Sequence, residues 1–209
     1  MADIRAQGGV RAERKAAARA RILASAAARL RQEGLDGVAI NTVMRDAQLT
    51  HGGFYAHFKD KQALVQAALV HALADTRRRW MGRAPDASWP ARLERLARRY
   101  INPAHRDHPA DACALAALTS DAARAGPALQ ATYAAELTKT LEAIVAPFAE
   151  APEADQARLW DEALAFMALS VGSVALARAV GPGALSDQIL RAGRRAAARI
   201  NTAPKESPR

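Results

Sequence analysis

The sequence predicts an all-α protein of about nine helices, with a small N-terminal three-helix unit followed by a larger helical domain. Three observations carry that prediction. Ala, the strongest helix former, makes up about a quarter of the 209 residues. Apolar side chains recur three and four residues apart along most of the chain, and no segment reads convincingly as a strand. Half of the residues are hydrophobic, enough for a sizeable core, which excludes disorder over the whole chain.

The elements follow in order. Residues 1–12 hold Gly8-Gly9 and no periodic pattern, and are expected as a loose arm. From Lys15 to Glu33 the positions Ile22, Leu23, Ala26 and Leu30 form an apolar stripe, and Gly34 ends that helix. Its other face is basic, with Arg14, Lys15, Arg19, Arg21, Arg29 and Arg31. Asn41 and Thr50 are good N-cap residues, so two short helices are expected, over 40–47 and 51–58. Asp60 caps a longer helix from Lys61 to about Trp80. Ala84-Pro85 precedes a helix from Ser88 to Ile101, and Asn102 to Pro109 reads as a polar loop. Helices are expected over 111–124, stopped by Gly126-Pro127, then over 127–148 and 155–180. Ser186 is placed to cap the last helix, with Leu185 and Leu190 as a hydrophobic staple. The expected division is an arm at 1–12, a three-helix unit at 13–60, a larger domain at 61–201 and a tail at 202–209.

Charge points to the partner. Lys plus Arg total 30 against 21 for Asp plus Glu, a formal charge of +9. Such a surplus suits an anionic partner: DNA, RNA or a membrane surface. Two short capped helices with a tight turn, behind a basic helix, match a helix-turn-helix. A short second helix lets its N-terminus point at bases and phosphates in a major groove. It starts at Thr50. His51 is its first outward side chain, and Gly52 and Gly53 let the backbone come close to a duplex. Tyr55 and His57 reach toward phosphates from its far end, Lys61 opens the next helix beside them, and Asn41, Thr42 and Arg45 belong to the first short helix. Phe54 and Phe58 are expected in the core.

The run from Val43 to Leu64 resembles the DNA-binding signature of the TetR family of bacterial transcriptional regulators. The matching pattern is Leu49-Thr50, then Phe54-Tyr55-x-His57-Phe58-x-x-Lys61-x-x-Leu64. The resemblance is firm over residues 15–65. Beyond them it covers only helix number and length. Gln48 departs from it, standing where the family usually has Gly in the turn, at a position that wants a positive φ. The resemblance implies a homodimer on a palindromic DNA operator, with a small effector held in the helical domain. It also implies a four-helix interface made by the last two long helices.

Candidate residues for those roles come from the later helices. Trp160, Leu164, Met167, Val171 and Val174 recur at spacings of four, three, four and three, like a coiled-coil seam. Ile189, Gly193, Ala196 and Ile200 form a stripe on the last helix. Both sets are expected at the dimer interface. Trp80, Tyr100, Cys113, Thr119, Tyr133, Trp160 and Phe166 are the candidate effector contacts. No dominant charge constellation accompanies them, so an apolar or aromatic effector is expected. Asp111 is expected to place Cys113 in a helix first turn, where a thiolate is favoured, so a redox- or electrophile-sensing repressor is an alternative. Charge-driven non-specific DNA binding is another.

Several classes are set aside. The single cysteine excludes an internal disulfide and a cysteine-based zinc site. His105 and His108, with Asp107 and Asp111, lack metal-site spacing and read as a solvated loop. No phosphate-binding glycine loop or nucleophile constellation appears, so neither an enzyme nor a cofactor is expected. The N-terminus has no apolar run of signal-peptide length. The longest uncharged run, Ala163 to Ala177, falls short of the roughly 20 residues of a span, and a cytoplasmic location is expected.

Overall fold

A computed structural model describes residues 2–82 and 86–200, the first seven of these as backbone only. Among the described residues there are nine α-helices, three short 3-10 helices and no strand. Helix α1 runs from Ala2 to Glu33, α2 from Ile40 to Asp46 and α3 from Lys61 to Met81. Helices α4 (Trp89–Tyr100), α5 (Pro103–Asp107), α6 (Ala114–Arg124), α7 (Pro127–Val145), α8 (Glu153–Ala179) and α9 (Ala184–Ala197) complete the bundle. The 3-10 helices lie at His51–Ala56, Pro109–Asp111 and Ala146–Phe148. The all-α class and the sequence of elements agree with expectation.

Four local differences matter. Residues 2–12 continue α1 as helix instead of forming an arm. The 102–109 segment, expected as a loop, contains α5, because the Asn102 side chain accepts from the His105 amide at 2.9 Å and Pro103 fits the first helical position. Asp111 closes a 3-10 turn and does not cap α6, whose N-cap position is Cys113. Helix α9 starts two residues before Ser186. That serine is buried and donates to the Ala177 carbonyl at 2.7 Å, while Leu185 is exposed, so no staple forms. The Ala84-Pro85 break and the tail at 202–209 lie outside the described residues.

One continuous core joins the two units. It runs from Ile22 and Leu30 of α1 through Leu64 and Leu73 of α3 to Phe166 and Val174 of α8. Helix α1 packs along α3, and its C-terminal turn meets α6 and the 109–111 turn. Arg31 of α1 donates there to the Ala110 carbonyl. The opposite end of the bundle is tied by Arg92, which is only 4% exposed. Its guanidinium donates to Asp86 at 2.6 Å and to the Ala143 and Ile144 carbonyls, so its buried charge is paired and its N–H groups are used. Helix α8 is the one described helix long and apolar enough to cross a membrane by length and composition. It packs on α6, α7 and α9 and is a core helix of the bundle.

Candidate nucleic-acid interface

The site is built from its buried side outward. Phe54 and Phe58 stack 5.9 Å apart and are both buried, as their spacing predicts. The guanidinium of Arg19 lies 5.0 Å over the Phe58 ring. With these rings turned inward, His51, Gly52, Tyr55 and Ala56 must face out, and all four are exposed. Tyr55 is 65% exposed, yet its ring sits edge-on to Phe54 at 5.2 Å and to His51 at 6.3 Å. Those contacts hold its hydroxyl at a fixed place on the surface. The segment is a 3-10 helix of six residues, with Gly52-Gly53 lowering its α propensity. Thr50 occupies the N-cap position in an extended conformation without a side-chain cap bond.

The turn before it closes α2 in a Schellman arrangement. The Gln48 amide donates to the Arg45 carbonyl and the Leu49 amide to the Met44 carbonyl, each at 2.9 Å. That motif requires a left-handed residue, and Gln48 has φ 57°. The turn is therefore of the expected kind despite the missing glycine. Asn41 lies in the first turn of α2, whose N-cap is Ala39, so it is not the cap. Asn41 and Arg45 are exposed and Thr42 is half-buried. Arg45 is held only by a 3.9 Å pair with Asp46, while Arg29 of α1 takes the other Asp46 oxygen at 2.8 Å. Lys61 is exposed at the start of α3, which Asp60 caps through the Ala63 amide at 2.7 Å. His57 is half-buried. Burial pushes its pKa below the usual value, and nearby Lys15 and Arg19 add to that, so its ring is neutral at pH 7.

The expected effector contacts separate into groups. Trp80, Tyr100 and Cys113 line a cavity of 380 Å³ among α3, α4 and the 102–113 segment. It is also lined by Arg79 and Arg99, which the sequence does not single out, and by His105 and His108, expected in a solvated loop. Phe166 stacks behind Trp80 at 6.0 Å and is wholly buried, so it backs the cavity without lining it. Thr119 and Tyr133 pair with each other at 3.3 Å elsewhere. Trp160 lines a separate groove with Val145 and Phe148. His105 is no solvated loop residue: one ring nitrogen pairs with the Tyr100 carbonyl at 2.6 Å and the other accepts from the Cys113 amide at 2.9 Å. Burial lowers its pKa to about 4, fixing it neutral. The Cys113 thiol is buried and its pKa is raised by that burial, opposite to the expected thiolate.

The residues expected at a dimer seam do not share one exposed face. Met167 and Val174 are buried within the protomer, and Gly193 packs against Ser173 of α8, so these three are not available to a second chain. Trp160, Val171, Ile189 and Ile200 are half-buried, and Leu164 and Ala196 are exposed. The outward apolar residues of α8 and α9 are Leu164, Leu176, Val180 and Leu185.

Residues 22–68 match the model of the bacterial regulatory proteins of the tetR family. Over these residues the chain carries the DNA-binding domain of the tetR family of regulators. The match covers the last part of α1, the helix-turn-helix and the start of α3, the elements on which the exposed face described above is mounted. TetR-family regulators are DNA-binding proteins without enzymatic activity. Solved structures agree in fold over nearly the whole chain. A TetR regulator from Chloroflexus aurantiacus is 23% identical with a TM-score of 0.70, covering 91% of this chain and 96% of its own. A TetR-family regulator from Cytophaga hutchinsonii is 20% identical with a TM-score of 0.64, covering 90% and 96%. Escherichia coli NemR in its reduced form is 17% identical with a TM-score of 0.66, covering 88% and 96%. These identities speak to fold alone. No match is found among curated proteins.

Proposed function

We propose that this chain is a dimeric cytoplasmic repressor that holds a palindromic operator and is released from it by a small apolar or aromatic effector. The observation that carries the reading is the outward face of the 51–56 helix on its Phe54–Phe58 anchor, beside a Schellman turn that keeps α2 and this helix at a fixed angle. His51 and the backbone at Gly52-Gly53 enter the major groove, with few side chains for direct base readout. Sequence-dependent DNA shape supplies part of the specificity. Thr42, Arg45, Thr50, Tyr55 and Lys61 hold phosphates, and Asn41 and neutral His57 add uncharged donors at the edges.

Residues 13–60 act as the DNA-reading domain and 61–201 as the regulatory and dimerisation domain. The effector enters the cavity walled by Trp80 and Tyr100, whose rings are 4.7 Å apart. The 109–111 turn on its rim touches α1 through Arg31, which gives occupancy a route to the reading head. The buried, raised-pKa Cys113 favours this small-molecule reading over thiol sensing. Two copies meet through the outward apolar face of α8 and α9.

Selection and sequencing of genomic fragments retained by the purified chain at physiological salt tests the reading. An enriched inverted repeat is expected. Retention of all fragments alike, lost as salt rises, is the signature of charge-driven binding and overturns it.

A further inference from the structure

We propose that the N-terminal half of α1 is a second DNA-backbone clamp, gripping the phosphates that flank the half-site read by the helix-turn-helix; it rests on the operator-binding reading above. Helix α1 is 32 residues long, but its core contacts begin only at Ile22. Residues 9–21 project past the domain and all but Ala18 are exposed. Lys15 and Arg19, expected on the other face of this helix, lie in line with Ile22, Ala26 and Leu30, so the face that is apolar there turns cationic as the helix leaves the domain. Arg11, Lys15 and Arg19 repeat every four residues, with Arg14 and Arg21 beside them, so all five cations fall within roughly half the helix circumference. The acidic Glu13 falls on the opposite side. Among the described residues none of the five cations pairs with a carboxylate, whereas most arginines of the larger domain do.

Placement ties this face to the reading head. Arg19 lies over the ring of Phe58, and Lys15 and Arg19 are near enough to His57 to disfavour its protonation. The cationic row therefore starts at the far end of the 51–56 helix and runs outward. From Arg11 to Arg21 the helix rises about 15 Å, some four base-pair steps along one strand. A row of unpaired cations of that length, continuous with a DNA-reading surface, fits a phosphate backbone. Val10 and Ala18, the apolar side chains along it, are too few and too small to anchor a protein partner.

The test uses the full chain and two duplexes: the selected inverted repeat with about ten flanking base pairs on each side, and the repeat alone. The triple variant Arg11→Gln, Arg14→Gln, Lys15→Gln leaves Arg19 and the core untouched. A control variant removes three charges elsewhere, Arg98→Gln, Arg124→Gln and Arg158→Gln. On the long duplex the clamp variant is expected to bind about tenfold or more weakly and to lose salt dependence by up to about one unit of slope per contact, while the control stays near wild type. On the trimmed duplex wild type and clamp variant converge. Ethylation interference outside the repeat is expected for wild type and absent for the clamp variant. If a repeat is selected but the clamp variant matches wild type on both duplexes, the clamp is wrong and the operator reading stands. If the control loses as much as the clamp variant, bulk charge is responsible and the clamp is likewise wrong. If no repeat is selected, the operator reading itself has failed.

Discussion

At the scale of single residues, two side chains hold positions that work against their own chemistry. Gln48 closes the helix-turn-helix turn at φ 57°, where a side chain costs about 1 kcal/mol or more. The strain persists because the Schellman bonds of Gln48 and Leu49 fix the end of α2. Gln48→Gly removes the strain but adds freedom to the unfolded chain, so a net gain of roughly 0.5–1 kcal/mol is expected in denaturant unfolding, with operator affinity unchanged. His105 bridges the end of α4 and the start of α6 as a neutral ring. Its pKa, about 4 in the fold, lies below the 6.5 of a free imidazole. Because the folded value is depressed, the unfolded chain binds the proton first as pH falls. The bridge's contribution is intact above pH 6.5 and is lost between 6.5 and 4, on the order of 3 kcal/mol in all. Unfolding at pH 7 and 4.5 measures it. His105→Gln should be less stable at pH 7 yet show a shallower pH slope.

At the scale of elements, the contact of α8 with α9 is closer than the sequence pattern suggests. A Cβ on Gly193 would lie 2.0 Å from the Ser173 Oγ and 2.7 Å from its Cβ. Gly193→Ala therefore forces the helices apart, at about 3 kcal/mol, read as a lowered melting temperature. Adding Ser173→Gly removes both obstructing atoms and should restore most of the loss, less about 1 kcal/mol for a helix-interior glycine. Gly193 was legible as a small residue on an interfacial stripe, but not as a contact inside one protomer. The reason is general: α8 is apolar around its circumference, so periodicity cannot say which face meets the protomer and which meets solvent. Elements with a one-sided pattern were legible, such as α4 with Leu93, Leu96 and Tyr100 inward. So was the reading helix, because Phe54 and Phe58 determine what must point outward. The Asn102-Pro103 start of α5 carried a cap signal that its polar composition masked. The cavity rim was not legible, since Arg79, Arg99 and His105 come together only through packing.

At the scale of the whole molecule, the outward side of α8 and α9 leaves Leu164 at 40%, Leu176 at 59% and Leu185 at 59% exposed. Around them small residues, among them Ala168, Gly172 and Ala192, keep the surface low, and nothing lies within 4 Å of a Cβ built on Gly172. Such a face exposes apolar area without a partner inside the protomer, yet lets another helix approach closely. In the proposed dimer a second copy supplies that helix and carries the second reading head. The double variant Leu164→Glu, Leu176→Glu places charges there without touching a buried side chain. Sedimentation should then show a monomer where wild type is a dimer, with helix content unchanged by circular dichroism. Operator affinity should fall by roughly 100-fold or more, because each half-site must then be bound independently. A variant that remains dimeric and binds as wild type would move the interface to another face. A monomer that keeps full operator affinity would remove the link between dimerisation and DNA reading.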